Sequence, residues 1–177
     1  MYTIHKSIDI DFSHHVHGHR GACINLHGHT WKFEVGLAAE RLDEEGFVVD
    51  FKELKTEVLK PCHDLLDHGL AMARQTYERL EAELATIGAG LLDTRRAVHG
   101  DVASDPPVHR DLNGAESRYP GGMKVAVFPF PPTSERLARW LYELADATLT
   151  NNRVKVTYGR VYETLHPVQS VAEYRPS

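Results

Sequence analysis

The sequence predicts a single α+β domain. Its 177 residues fit one domain by length. Short runs that alternate or concentrate apolar residues predict strands, and two runs with apolar residues at helical spacing predict helices. The predicted order is strand, strand, helix, strand, helix, strand, which is typical of an α+β fold.

The composition is that of an ordinary globular protein, with 42% hydrophobic and 25% charged residues. A net charge of −5 argues against a nucleic-acid-binding surface. Two cysteines cannot build a disulfide framework. We see neither a signal peptide nor an apolar run long enough to span a membrane. We therefore expect a cytoplasmic protein with no nucleic-acid or membrane partner.

The first predicted strand covers residues 2–13. Ile8 and Ile10 alternate there with two aspartates, which indicates a strand with one apolar face. Residues 14–26 are rich in glycine and histidine and predict a loop.

A second strand is predicted for residues 29–38, antiparallel to the first if the two form a long hairpin. Trp31, Phe33 and Val35 share one face of this strand. His29 has the same parity, so a bulge or a position at the rim is needed to separate it from the core.

The first helix is predicted to begin after Asp50, a favourable N-cap residue. Phe51, Leu54 and Val58 follow at helical spacing. Pro61 should end or kink this helix, because proline cannot donate a backbone hydrogen bond.

The C-terminal part repeats the alternation of strand and helix. A helix starts at Pro132-Thr133-Ser134-Glu135 and carries an apolar stripe of Leu137, Trp140, Leu141 and Leu144. Strands are predicted before and after it, at residues 123–130, 153–163 and 170–174.

The histidines predict a metal site. His27 and His29 flank Gly28 on a strand, so their side chains project to the same face, about 6–7 Å apart at the backbone. Two such imidazoles suit one metal ion, and catalytic zinc usually has three protein ligands and one open position. Spacing alone does not choose the third ligand among His14, His15, His17 and His19.

Cys23 has three interpretations: an inert buried residue, a zinc ligand, or a thiol that moves protons. The third needs a proton partner. Asp67 and His68 supply one, because an aspartate can orient an imidazole that exchanges a proton with the thiol. Asp64 is a weaker candidate for the orienting acid.

These motifs resemble the signature of the 6-pyruvoyltetrahydropterin synthase and 6-carboxytetrahydropterin synthase (QueD) family, F-x-F-x-x-x-H followed by C-x-x-x-H-G-H. Ile8 and Ile10 stand at the two aromatic positions. The resemblance extends to Asp50-Phe51, Leu66-Asp67-His68, the P-T-x-E helix start and Glu163-Thr164.

The resemblance implies specific roles. Zinc is held by His14, His27 and His29. A catalytic triad of Cys23, Asp67 and His68 meets across a subunit interface. Glu163 anchors the pterin through two parallel hydrogen bonds.

The resemblance also implies a fold and an assembly. Residues 1–177 are expected to form one tunnelling-fold (T-fold) domain, with a four-stranded antiparallel sheet and helices packed on one face, in a homo-oligomer that is commonly a hexamer. Residues 69–122 are expected to be an insertion, with an amphipathic helix over 71–92 and a loop over 93–122.

The implied function is that of a zinc-dependent lyase. It converts 7,8-dihydroneopterin triphosphate to 6-carboxy-5,6,7,8-tetrahydropterin, with release of acetaldehyde and triphosphate, towards queuosine and other 7-deazapurines. The alternative is 6-pyruvoyltetrahydropterin synthesis or a related cleavage of the pterin side chain. A third hypothesis is a non-catalytic assembly protein that binds zinc or pterin.

Overall fold

The computed structural model of the protein describes residues 1–99, 111–166 and 169–177. It has the predicted α+β architecture. The described strands are β1 Tyr2–His14, β2 His27–Ala39, β3 Leu70–Ala73, β4 Glu116–Arg118, β5 Val125–Phe128, β6 Val154–Thr164 and β7 Ser170–Tyr174. The described helices are α1 Phe51–Leu54, α2 Lys60–Leu66, α3 Arg74–His99 and α4 Ser134–Leu149.

The expected four-stranded antiparallel sheet is wrong in detail. The described strands form a seven-stranded sheet in the order β4-β5-β3-β1-β2-β6-β7. It is mixed, because β3 pairs in parallel with both β1 and β5. The short apolar segment Leu70–Ala73 forms a strand, and its pairing adds β5 and β4 to the sheet.

One part of the described chain consists of residues 1–11, 29–64 and 133–177. In it β6 pairs antiparallel with β2 and with β7. Trp31, Phe33 and Val35 on β2 are fully buried, as predicted. The register of β2 on β6 shifts between Gly36 and Leu37, which marks a bulge.

Helix α4 packs against β6 and β7 through its predicted apolar stripe. Leu137, Trp140, Leu141 and Leu144 are all buried. Thr133 caps the helix by accepting a hydrogen bond from the backbone N–H of Arg136. The predicted start, stripe and following strands are confirmed.

The other part consists of residues 12–28 and 65–132. Its apolar core lies where α3 packs on β3 and β5, and consists of Leu70, Met72, Tyr77, Leu84, Val125 and Val127. The C-terminal end of β1 joins this part through the pairs Ser13–Leu70 and His14–Ala71.

The helix after Asp50 begins as predicted. The Asp50 carboxylate accepts a hydrogen bond from the Lys52 N–H at 2.8 Å. Pro61 does not end the helical run, which continues to Leu66. A π-helical segment, Lys55–Leu59, precedes the proline instead, so the irregularity lies one turn earlier than expected.

The structure of residues 69–122 differs from the expectation. The helix predicted over 71–92 begins only at Arg74 and extends to His99, since the preceding residues belong to β3. The predicted loop contains β4 and a 3₁₀ turn, Pro120–Gly122, whereas residues 100–110 lie outside the described residues. No helix in the described ranges is long and apolar enough to cross a membrane.

Candidate functional site

His14 and His27 stand at adjoining strand ends, His14 as the last residue of β1 and His27 as the first of β2. Nδ1 of His14 lies 3.0 Å from the carbonyl oxygen of Pro132, and Nδ1 of His27 lies 2.8 Å from that of Asn25. Because a carbonyl oxygen only accepts, both Nδ1 atoms carry the proton in the neutral rings.

The same two rings face each other through their other nitrogens, Nε2, which lie 3.0 Å apart. With the protons on Nδ1, each Nε2 presents a lone pair. Two lone pairs at this distance repel unless a metal cation binds both nitrogens or a proton on one ring forms an N–H···N hydrogen bond to the other. Backbone carbonyls that fix the tautomer of metal-binding histidines are a regular feature of metal sites.

His29 and Glu163 form a second pair, on the neighbouring strands β2 and β6. Nε2 of His29 lies 3.8 Å from Oε1 of Glu163, and both side chains are about three-quarters buried. Oε2 of Glu163 accepts a hydrogen bond from Oγ of Ser134 at 3.2 Å, at the first residue of α4. The N-terminus of a helix favours such a negative charge.

The two pairs offer ligand types that a metal ion takes. His14 and His27 present imidazole nitrogens, and His29 and Glu163 present an imidazole nitrogen and a carboxylate oxygen. Imidazole nitrogens with a carboxylate oxygen suit zinc, and they also suit iron or nickel. These ligand types fit a divalent metal ion.

A cleft of about 430 Å³ opens beside His29 and Glu163, within the usual range for small-molecule sites. Asp9, Thr30, Thr164, Leu165 and His166 also line it. Glu163 therefore lies beside His29, a candidate metal ligand, and also lines the cleft.

Asp67 and His68 are joined by a side-chain hydrogen bond. Oδ2 of Asp67 accepts a hydrogen bond from Nδ1 of His68 at 2.8 Å. His68 and His27 both line a second cleft, of about 310 Å³. Asp64 pairs instead with Lys60, and the carboxylate that hydrogen-bonds to His68 is that of Asp67.

Cys23 lies in a short 3₁₀ turn, Ala22–Ile24, and is half-buried. No hydrogen bond joins its thiol to Asp67 or His68 in the part of the chain that the structure describes. The predicted triad is therefore not assembled by contacts within one described chain. The other thiol, Cys62, is fully buried, and burial raises its pKa.

His15 and His17 of the loop make other interactions. Burial lowers the pKa of His15, and the neighbouring His17 lowers it further. Nε2 of His17 accepts a hydrogen bond from Arg79 of α3 at 3.2 Å. Of the four candidates for the third histidine, His14 is the one that the structure brings to His27.

Sequence reasoning missed two features of the site. The proximity of Glu163 to His29 depends on the register of β6 on β2, for which no local pattern exists. No sequence pattern indicated the contact of Lys124, whose ammonium donates a hydrogen bond to the carbonyl oxygen of Asp67 at 2.7 Å.

The chain is similar to known pterin synthases. The family model described as 6-pyruvoyl tetrahydropterin synthase matches residues 3–177. The 6-carboxy-5,6,7,8-tetrahydropterin synthase of Haemophilus influenzae is 38% identical over 90 residues, which cover 49% of this chain and 62% of that protein. The enzyme of the same name from Aquifex aeolicus is 27% identical over 157 residues, covering 86% and 75% of the two chains.

Solved structures support the same fold. An uncharacterized protein of Wolinella succinogenes superposes with a TM-score of 0.69 at 25% identity, over 99% of this chain and 98% of that one. The 6-pyruvoyl tetrahydropterin synthase of Caenorhabditis elegans has the same fold, with a TM-score of 0.57 at 18% identity, over 99% and 96% of the two chains. The chain therefore belongs to the 6-pyruvoyl tetrahydropterin synthase family of enzymes.

Proposed function

We propose that the protein is a zinc-dependent lyase that converts 7,8-dihydroneopterin triphosphate and one water molecule to 6-carboxy-5,6,7,8-tetrahydropterin, acetaldehyde and triphosphate. Relatives named for the carboxy product support this choice. The observation that carries it is the pair of Nε2 atoms on His14 and His27, which lie 3.0 Å apart.

In this proposal the three histidines hold the metal. His14 and His27 are already fixed in the tautomer that presents Nε2, and His29 joins them from the same strand as His27. When bound, zinc supplies a Lewis acid that polarises the oxygens of the substrate side chain.

Glu163 is assigned to the substrate. Its carboxylate lines the cleft of about 430 Å³, where it can accept two parallel hydrogen bonds from the amino and ring N–H groups of a pterin. The Ser134 hydroxyl holds one of its oxygens and so fixes its orientation.

Proton transfer is assigned to Cys23 with His68 and Asp67. The Asp67 carboxylate holds Nδ1 of His68 and stabilises the charged imidazolium, which leaves Nε2 to exchange protons. The His68 side chain is 81% exposed, so a thiol from a second subunit can reach it. We propose that the triad assembles in a homo-oligomer, as the family resemblance implies.

The test is an anaerobic incubation of the zinc-loaded protein with 7,8-dihydroneopterin triphosphate, with products identified by mass spectrometry. We expect 6-carboxytetrahydropterin and acetaldehyde. Cys23→Ala should lower kcat by at least about 100-fold while zinc stays bound, because the thiol moves protons and does not ligate. Cys62→Ala is the matched control at a thiol outside the site.

The other outcomes are distinct. A 6-pyruvoyl product would assign the protein to the sister reaction. Binding of zinc and pterin without any product would support the non-catalytic alternative. Full turnover by Cys23→Ala would remove the thiol from the mechanism.

A further inference from the structure

His68 has an unusual backbone conformation. Its φ of 55° lies in the left-handed region, which within the described ranges only one other non-glycine residue, Asn113, adopts. Histidine enters this region more readily than most residues, but the conformation persists only where the surroundings hold it. The turn from Asp67 to Gly69 must therefore be restrained by its neighbours.

Lys124 supplies much of that restraint. Its ammonium donates to the carbonyl oxygen of Asp67 at 2.7 Å, and its own carbonyl oxygen accepts from the N–H of Leu70 at 3.1 Å. Its methylene stem lies over Gly69, since a Cβ added there would be 3.6 Å from Cγ and Cδ of Lys124. The lysine thus contacts the turn on both sides of His68.

The direction of the Asp67 carbonyl sets the plane of the peptide that leads into His68. Holding that oxygen therefore fixes the backbone from which the imidazole projects. The ring then meets the Asp67 carboxylate and faces the cleft that it shares with His27. Lys124 lines the same cleft.

We propose that Lys124 is a positioning residue that holds the Asp67–Gly69 turn in the conformation that presents His68 to the cleft. This inference rests on the proposed function for its kinetic consequence. It assigns Lys124 no contact with the reacting atoms; its ammonium acts through the backbone carbonyl of Asp67.

The experiment compares two substitutions at one position. Lys124→Met keeps a side chain of similar length and removes the donor, whereas Lys124→Arg keeps a cationic donor. Lys155→Met, at an exposed lysine of β6, is the matched control. Each full-length, zinc-loaded protein is assayed for kcat and KM on dihydroneopterin triphosphate, and for hydrogen exchange at the Gly69 amide, which donates to the Leu66 carbonyl at 2.8 Å.

We expect Lys124→Met to lower kcat roughly 10- to 100-fold, the effect of misplacing a reacting group, with little change in KM. The Gly69 amide should exchange about tenfold faster, because local opening becomes easier. Lys124→Arg should keep kcat and the Gly69 exchange rate close to their wild-type values. Lys155→Met should behave as wild type.

Wild-type kcat and exchange in Lys124→Met would overturn the inference. So would a raised KM with unchanged kcat, which would make Lys124 a substrate-binding cation. A failure of Lys124→Arg to recover either quantity would also contradict it. If the wild-type protein turned over no pterin, the proposed function would fail, and Gly69 exchange alone would decide whether Lys124 holds the turn.

Discussion

Nε2 of His14 and Nε2 of His27 lie 3.0 Å apart, while Nδ1 of each ring faces a backbone carbonyl. The strand ends and the loop between them thus fix two imidazoles with their lone pairs directed at each other. This relationship favours a cation at the site. It is the physical basis for the metal in the proposed mechanism.

Loss of one imidazole should release the metal. For His29→Ala we expect zinc affinity to fall by more than the roughly 10- to 100-fold that follows from losing a hydrogen-bond partner of a ligand. Competition with a chromophoric chelator measures this, with metal content by mass spectrometry. His5→Ala, an exposed histidine of β1, should retain wild-type affinity. Equal zinc affinity in His29→Ala and wild type would exclude His29 as a ligand.

Glu163→Gln tests whether the Glu163 carboxylate binds the pterin or the metal. We expect the variant to keep zinc and to bind the pterin roughly 10- to 100-fold more weakly, because a charge-assisted pair of hydrogen bonds is lost. Calorimetric titration with a pterin and a metal assay give the two values. Glu143→Gln, at an exposed glutamate of α4, is the control. Zinc loss in Glu163→Gln would instead make Glu163 a metal ligand.

Glu116 should contribute stability that depends on pH. Burial raises its pKa, but hydrogen bonds from Arg74 and Arg118 outweigh burial and hold the pKa below its ordinary value. The unfolded chain therefore binds this proton more readily. The contribution is fully present above about pH 4.5 and is lost as the pH falls through the native pKa.

Urea unfolding of the metal-free protein tests this at pH 7 and pH 3. Metal-free protein is needed because acid also releases metal from histidines. Glu116→Gln should be less stable than wild type at pH 7, and the difference should shrink at pH 3. A difference that stays constant across this range would show that the carboxylate charge contributes nothing.

Gly159 lies where β6 meets the backbone of α4. A Cβ added to it would be 2.5 Å from the carbonyl oxygen of Ala138 and 2.7 Å from the nitrogen of Tyr142. Because backbone must then shift, Gly159→Ala should lower the free energy of unfolding by about 1–3 kcal/mol. Urea denaturation measures it.

Gly90 on α3 is the matched control, since an added Cβ meets open space there. Gly90→Ala should raise the free energy of unfolding by about 0.5–1 kcal/mol through helix propensity. Equal changes in the free energy of unfolding at the two glycines would show that the close approach of β6 to α4 does not disfavour a Cβ at Gly159.

The sequence allowed correct prediction of the elements with strong periodicity. Strands β1, β2 and β6 and helix α4 were found from alternation, caps and apolar stripes. Strand β3 was missed because four apolar residues before a helix look like its first turn. Its parallel pairing with β1 and β5 arises from contacts between distant segments, which local patterns do not encode.

In the candidate site, too, local patterns indicated some residues, whereas contacts between distant segments determined others. His27 and His29 were proposed as a pair because residues two apart on a strand share a face, and this proposal stays a prediction. Spacing alone did not choose among the loop histidines; the folded chain brings His14, at the end of β1, to His27. Glu163 lies beside His29 only through the pairing of β6 with β2, so this contact could be found only from the folded chain.

X-ray absorption at the zinc edge of the loaded wild-type protein tests the proposed site most directly. Three imidazoles and an open position predict only nitrogen and oxygen neighbours, at about 2.0–2.1 Å. A sulfur neighbour at about 2.3 Å would contradict the proposal, because Cys23 would then be a ligand in a closed site and unavailable for proton transfer.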